Sequence, residues 1–139
     1  MNWFECKVKY EKTFEDGQVR PVIDSYVVDA ASCADAEVKI VEQFHKDCYP
    51  SIETVNKRRY SDVFFNENAE KWYKGKVSLI TIDEISGAEK KHTFIMLIQA
   101  DHFKDAVKSL YQHMDGTMSD YEIVSLSETS IVDVIKLQE

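Results

Sequence analysis

The sequence predicts an α+β fold, formed by internal duplication of a strand-strand-helix-strand unit, with an antiparallel sheet, two helices and pseudo-twofold symmetry. Segments of period-two hydrophobicity alternate with segments of helical period. The same order of turn, apolar and capping signals occurs twice. The residues also repeat in step, because Trp3-Phe4-Glu5-Cys6-Lys7-Val8 lies over Trp72-Tyr73-Lys74-Gly75-Lys76-Val77. Further on, Tyr26-Val27-Val28-Asp29-Ala30 lies over Met96-Leu97-Ile98-Gln99-Ala100, Asp35-Ala36 over Asp105-Ala106, and Ile40 over Leu110. Glu53-Thr54-Val55 then matches Glu122-Ile123-Val124, and Asp62-Val63-Phe64 matches Asp133-Val134-Ile135. The expectation is a single domain made of two repeats, residues 1–66 and 67–139.

Trp3 to Thr13 alternates. Phe4, Cys6, Val8 and Tyr10 share one face, and Trp3, Glu5, Lys7 and Lys9 share the other, the pattern of a half-buried strand. Asp16-Gly17 supplies the hairpin turn, since glycine takes the positive φ such loops need. Val19 to Asp29 returns, with Pro21 near its start where a missing N–H is tolerated. Ser32 opens a helix, with Asp35 three residues on in a capping-box-like pattern. Ile40, Val41, Phe44 and Cys48 form its apolar stripe, and Pro50 stops it. Ile52 to Arg59 reads as a strand and Val63-Phe64-Phe65 as its continuation, either one bulged strand or two.

In the second half, Tyr73, Gly75, Val77 and Leu79 repeat the inward set, and Ser86-Gly87 repeats the turn. Phe94-Ile95-Met96-Leu97-Ile98 is apolar on both faces, so both faces are covered. One helix covers only one of them. Phe94, Ile95 and Leu97 are therefore the expected interface residues, against the other half's sheet or a second copy. Asp101 is expected to cap a helix over His102 to Met114, with Asp115-Gly116 ending it. Tyr121 to Leu126 and Ile131 to Leu137 supply the last strands.

The chain has 139 residues and a net charge of −8. Residues 1–66 carry 9 basic and 12 acidic side chains, and residues 67–139 carry 8 and 13. Both halves are acidic, which argues against a surface that tracks a phosphate backbone throughout. Cys6, Cys33 and Cys48 are odd in number and form no CxxC, as reduced thiols in a cytoplasm would. No apolar run approaches the ~20 residues a membrane span needs, and the N-terminus enters a strand without a signal-like segment. A soluble, cytoplasmic protein is expected.

The opening Asn2-Trp3-Phe4-Glu5-Cys6-Lys7, the middle Asp83-Glu84-Ile85-Ser86-Gly87-Ala88-Glu89-Lys90-Lys91 and the late Ser127-Glu128-Thr129-Ser130-Ile131-Val132-Asp133-Val134 resemble an uncharacterised family, a domain of unknown function of Bacteroides-type gut bacteria and crAss-like phages. The resemblance covers essentially the whole chain. It implies a cytoplasmic bacterial or phage origin and carries no catalytic residues. A second, shorter stretch, Tyr73 to Leu79, is similar to the Lys-Gly-Lys strand motif of the Whirly single-stranded DNA-binding proteins. Those proteins place four strands before each helix, and the first-half counterpart here is Glu5-Cys6-Lys7.

Catalytic chemistry has little to build on. His45, His92, His102 and His113 form no HxxxH or HExxH spacing, so no metal or other cofactor is expected. Cys48 and His45 are three apart on a helix but lack an orienting third group. No P-loop, dinucleotide fingerprint or nucleophile elbow is present. The most suggestive feature is an aromatic–lysine strip: Trp3 with Lys7, and Trp72 with Lys74 and Lys76, beside the basic Arg58 and Arg59. Stacking rings among cations hold single strands at about 1–3 kcal/mol per base. The competing reading has the tryptophans sealing an interface under lysine stems. The expected function is a non-enzymatic binding or scaffold protein, acting through protein contacts and self-associating as a homo-oligomer, with no membrane partner. The alternative is a single-stranded nucleic-acid-binding accessory protein of bacterial or phage DNA metabolism, disfavoured by the acidic charge.

Overall fold

The computed structural model describes residues 2–44, 49–117 and 119–136. Cys48, His45 and Leu137, which enter the expectations above, lie outside them. The described chain contains β1 (Trp3–Thr13), β2 (Val19–Asp29), α1 (Cys33–Glu42), β3 (Ser51–Arg58), β4 (Asp62–Phe64), β5 (Trp72–Ile82), β6 (Glu89–Gln99), α2 (Phe103–Met114), β7 (Asp120–Glu128) and β8 (Ile131–Ile135). Mostly sheet with two helices, it matches the α+β class.

The chain divides into two compact units. One is Met1–Arg59 with Ser130–Glu139, and the other is Tyr60–Thr129. Their sheets have the orders β3-β1-β2-β8 and β4-β6-β5-β7. The last strand of each half thus joins the sheet of the other half. Both joining strands run parallel to their partners, β8 along β2 and β4 along β6. The sheets are therefore mixed where an antiparallel sheet was expected. The reason is connectivity. Only Arg59, Tyr60 and Ser61 separate β3 from β4, and Thr129 and Ser130 separate β7 from β8. Of the two readings open for residues 52–65, one bulged strand or two strands, the structure has two, in two sheets.

In the first unit, Phe4, Cys6 and Val8 meet Val28, Ala36 and Ile40 on the helix side of the sheet. The face assignment from alternation holds. Ser32 caps α1 by accepting from the Asp35 N–H at 3.1 Å, and Asp35 in turn accepts from the Ala31 N–H at 2.9 Å. The Ala31 bond, together with Lys39 at 3.2 Å, holds the Asp35 carboxyl below the ordinary carboxylate value. The helix ends at Glu42, well before Pro50. Phe44 explains the early stop. Its ring leaves the helical path to meet Tyr10 at 5.1 Å and Tyr26 at 5.8 Å, both edge-on.

In the second unit, Tyr73, Val77, Met96 and Ile98 meet Ala106, Leu110 and Met114. Gly75 lies under α2, where a Cβ would stand in ordinary contact 3.4 Å from Leu110 Cδ2. Cys6 fills the matching place in the first unit. His102, not Asp101, is the N-cap of α2, and it makes no side-chain cap bond. Asp101 instead accepts from the Glu70 N–H at 2.8 Å, tying the chain before β5 to the start of the helix. Gly116 does not take positive φ, so α2 closes without a left-handed cap. His113 stacks on Phe64 at 3.5 Å and 10° between planes, fastening the three-residue β4 to the end of α2.

Candidate functional site

The residues of the aromatic–lysine strip fall on the sheet faces turned away from the helices. Trp3 stands opposite Arg58, and Lys7 opposite Thr54, on the first sheet. Trp72, Lys74 and Lys76 share one face of the second, where Lys74 stands opposite Leu97 and Lys76 opposite Ile95. The structure therefore groups Trp3, Lys7 and Arg58 in one unit and Trp72, Lys74 and Lys76 in the other. The lysines are exposed and so is Arg59, whereas Arg58 is engaged by Glu5 at 3.2 Å. Trp3 is 4% exposed and Trp72 1%. An indole so enclosed offers no face to a base. Two strands precede α1, unlike the four of the Whirly order, whereas four strands lie between α1 and α2.

The expected interface residues divide between the two faces of β6. Phe94 packs at the margin of the helix-side core. Ile95 and Leu97 lie on the opposite face, and Leu97 is 0% exposed within the single chain. Half-buried Ile95 is the one of the three with surface left on that side.

Groups with reactive potential are held in quiet states. Burial, with Glu37 nearby, pushes the Cys6 thiol up to about 11, so it is no nucleophile at neutral pH. Tyr121 donates to Asp115 at 2.7 Å, which raises its phenol to about 12. Among the described residues no group of three or more His, Cys, Asp or Glu is placed to hold a metal ion. No described helix is long and apolar enough to cross a membrane.

The two hairpin tips differ in what they present. At the first, Gly17 takes φ 81° and Asp16 accepts from the Gln18 N–H at 3.0 Å. Phe14 lies beneath the Arg20 guanidinium, 4.0 Å from ring centre to Cζ, with Lys12 at 5.7 Å. Its ring is covered by cations, and the tip forms a shallow concavity of about 500 Å³ lined by Lys12 to Asp16 and Arg20.

At the second tip, Asp83 organises the loop. It accepts from the Ile85 N–H at 2.9 Å and the Ser86 N–H at 3.4 Å, and Lys90 lies 3.6 Å away. Backbone bonds from Gly87 N–H to Asp83 O at 2.8 Å and from Asp83 N–H to Ala88 O at 2.9 Å close it. Gly87 takes φ 71°. The result is a braced loop that holds Ile85 98% exposed, beside Ile82 at 68%. Reading the turn from Ser86-Gly87 alone missed this. The signal was present as an aspartate two residues before an isoleucine in a turn, the pattern of a side-chain-braced loop.

The two amide contacts, with Lys90, hold the Asp83 carboxyl below its ordinary value of 3.8. A depressed folded-state value means the bracing is complete above that ordinary value. It is lost as pH falls through the lower folded one. In an NMR titration, Asp83 should titrate below 3.8 and the Ile85 and Ser86 amide shifts should follow the same midpoint. Titration of Asp83 at or above 3.8, with those amides unmoved, would show an unbraced loop.

No curated protein and no solved structure matches this chain. The model of one family, a domain of unknown function designated DUF4494, matches residues 2–137, in agreement with the resemblance to an uncharacterised family. The chain belongs to the DUF4494 family.

Proposed function

We propose that this chain is a non-enzymatic scaffold that works through protein contacts and self-associates, in the bacterial or phage cytoplasm that the family resemblance implies. The observation that carries the reading is Ile85, fully exposed on a loop whose shape Asp83, Lys90 and Gly87 hold. A braced apolar side chain loses little conformational freedom on docking, and burying an isoleucine contributes about 1.5–3 kcal/mol. The acidic Asp83, Glu84 and Glu89 around it suit an apolar pocket with a basic rim. Affinity capture from a native lysate with the wild-type chain and with Ile85→Glu tests this. Proteins retained by the first should be lost from the second, and identical retained sets would remove the tip as an anchor.

Tandem duplication is part of the same proposal. Each half carries two 11-residue strands, a helix and two further strands. The edge-strand registers slip at matching places, Lys7/Val8 and Lys76/Val77. Single-stranded nucleic acid remains the competing ligand. With both indoles enclosed it would be held by exposed lysines and Arg59 without stacking, against a net charge of −8. Anisotropy of a labelled oligonucleotide at low salt decides between them. Binding that Lys74→Ala and Lys76→Ala weaken would favour nucleic acid.

A further inference from the structure

Each helix leaves a row of apolar side chains partly open to solvent, α1 on its outer face and α2 on one flank. On α1, Ala34, Val38 and Val41 follow each other at i, i+4 and i+7 and form one exposed apolar ridge, with Val38 56% and Val41 48% exposed. Glu37 and Glu42 border that ridge on its two sides. On α2, Phe103, half-buried Val107 and Tyr111 follow at i, i+4 and i+8 along the flank beside the buried Ala106, Leu110 and Met114; Phe103 is 54% and Tyr111 46% exposed, with their rings 6.2 Å from Tyr73 and 6.4 Å from Tyr121. Exposed Lys104 and Lys108 run alongside. Among the described residues none of these four charges has an ion-pair partner, whereas Asp35 and Lys39 on the same α1 pair with each other. Single exposed apolar residues are ordinary, but two ridges at helical spacing with opposite unpaired borders are complementary.

We infer that α1 of one copy packs on the aromatic flank of α2 of a second copy, small aliphatic ridge against aromatic ridge, with the acidic border of Glu37 and Glu42 drawn to Lys104 and Lys108. The occupant of each face is this same chain, so the inference rests on the self-associating part of the proposed function. Made once per pair of copies, a contact between two different faces is head-to-tail and leaves one α1 and one α2 free. Such contacts propagate to a filament or a ring, whereas the contact made reciprocally about a twofold axis closes a dimer. Helices of 10 and 12 residues offer less than the ~1,200 Å² of a standard interface, so association is concentration-dependent and weakened by salt.

Sedimentation velocity of the full chain, at low and at high salt, tests the contact with two charge-reversed variants. One carries Glu37→Lys and Glu42→Lys, the other Lys104→Glu and Lys108→Glu. All four positions are exposed, and circular dichroism checks that each variant keeps its fold. The wild type should self-associate at low salt. Each variant alone should do so about tenfold more weakly or worse, because like charges then face each other. An equimolar mixture of the two should associate again, since every α1 then finds an α2 of opposite sign.

Self-association of undiminished strength in both variants would overturn the α1–α2 contact and leave the scaffold reading standing on another surface. A mixture that stays monomeric would overturn it as well. A wild type that remains monomeric at its highest soluble concentration would end self-association altogether. The Ile85 capture experiment would still judge the rest of the proposed function. Flotation of a monomeric wild type with phosphatidylglycerol vesicles, lost in the Lys104→Glu, Lys108→Glu variant, would reassign the α2 face to anionic lipid and overturn the inference.

Discussion

A chain that stops after Ser130 will lose the sheet at its N-terminal end and keep the sheet at its C-terminal end. β8 is the reason. It lies parallel to β2, with Val134 opposite Val27 and Ile131 opposite Ser25. Both aliphatic side chains are buried. Removing them forfeits about 1.5–3 kcal/mol each, so roughly 3–6 kcal/mol in all. That is a large share of the roughly 5–15 kcal/mol that holds a typical domain. It also bares the edge of β2 along Ser25 to Val28, an apolar, unblunted edge that invites strand pairing between chains. The second unit, Tyr60–Thr129, keeps all four strands of its sheet.

Hydrogen exchange read by peptide makes the test specific. In the truncated chain, amides of Phe4 to Val8 and of Val27 and Val28 should exchange faster by orders of magnitude. Amides of Val77 and of Met96 to Ile98 should change little. Uniform loss of protection across both units would mean that the second sheet depends on the first. Unchanged protection around Val27 would mean that β8 contributes no stability.

That reciprocal exchange of strands was the least legible part of the fold. Alternation in Trp3 to Thr13 and in Trp72 to Ile82 marked the strands, and Gly17 and Gly87 marked the turns, because each is a local property of the backbone. Alternation also assigned Phe4, Cys6 and Val8 to the helix side. It says nothing about which sheet a strand joins. Asp62-Val63-Phe64 pairs with Met96-Leu97-Ile98, far along the chain, and nothing within three residues encodes that choice. The α1 terminus was hidden for a similar reason. Phe44 fits the helical stripe, but its aromatic partners Tyr10 and Tyr26 come from strands, and that packing overrides local periodicity. The tryptophans illustrate a different limit. Period two correctly set Trp3 and Trp72 on the faces away from the helices. A face turned from a helix is not thereby turned to water, and the apolar Val27 and Leu97 on those faces were the clue that it is covered.

Replacing Trp72 by alanine should cost about 3–5 kcal/mol, and replacing it by phenylalanine a small fraction of that. The difference lies in the indole N–H. Trp72 is almost wholly buried, Phe65 meets it edge-on at 5.4 Å, and its Nε1 has no hydrogen-bond partner. An unsatisfied buried donor costs about 1–3 kcal/mol relative to its hydrated state. Phenylalanine deletes that donor and keeps most of the ring volume. The void it leaves, a few tens of Å³, costs on the order of 1 kcal/mol at about 24 cal/mol per Å³. The two terms nearly cancel for Trp72→Phe, whereas Trp72→Ala pays the full cavity cost. Urea midpoints of the two variants measure the contrast, and equal losses would mean that the indole N–H has found an acceptor in solution. The same pair of variants bears on ligand choice. A buried ring cannot stack on a base, so Trp72→Phe should leave oligonucleotide anisotropy where the wild type has it. A drop in affinity in Trp72→Phe, at unchanged stability, would put the ring against the ligand and return the strip of Trp72, Lys74 and Lys76 to nucleic-acid binding.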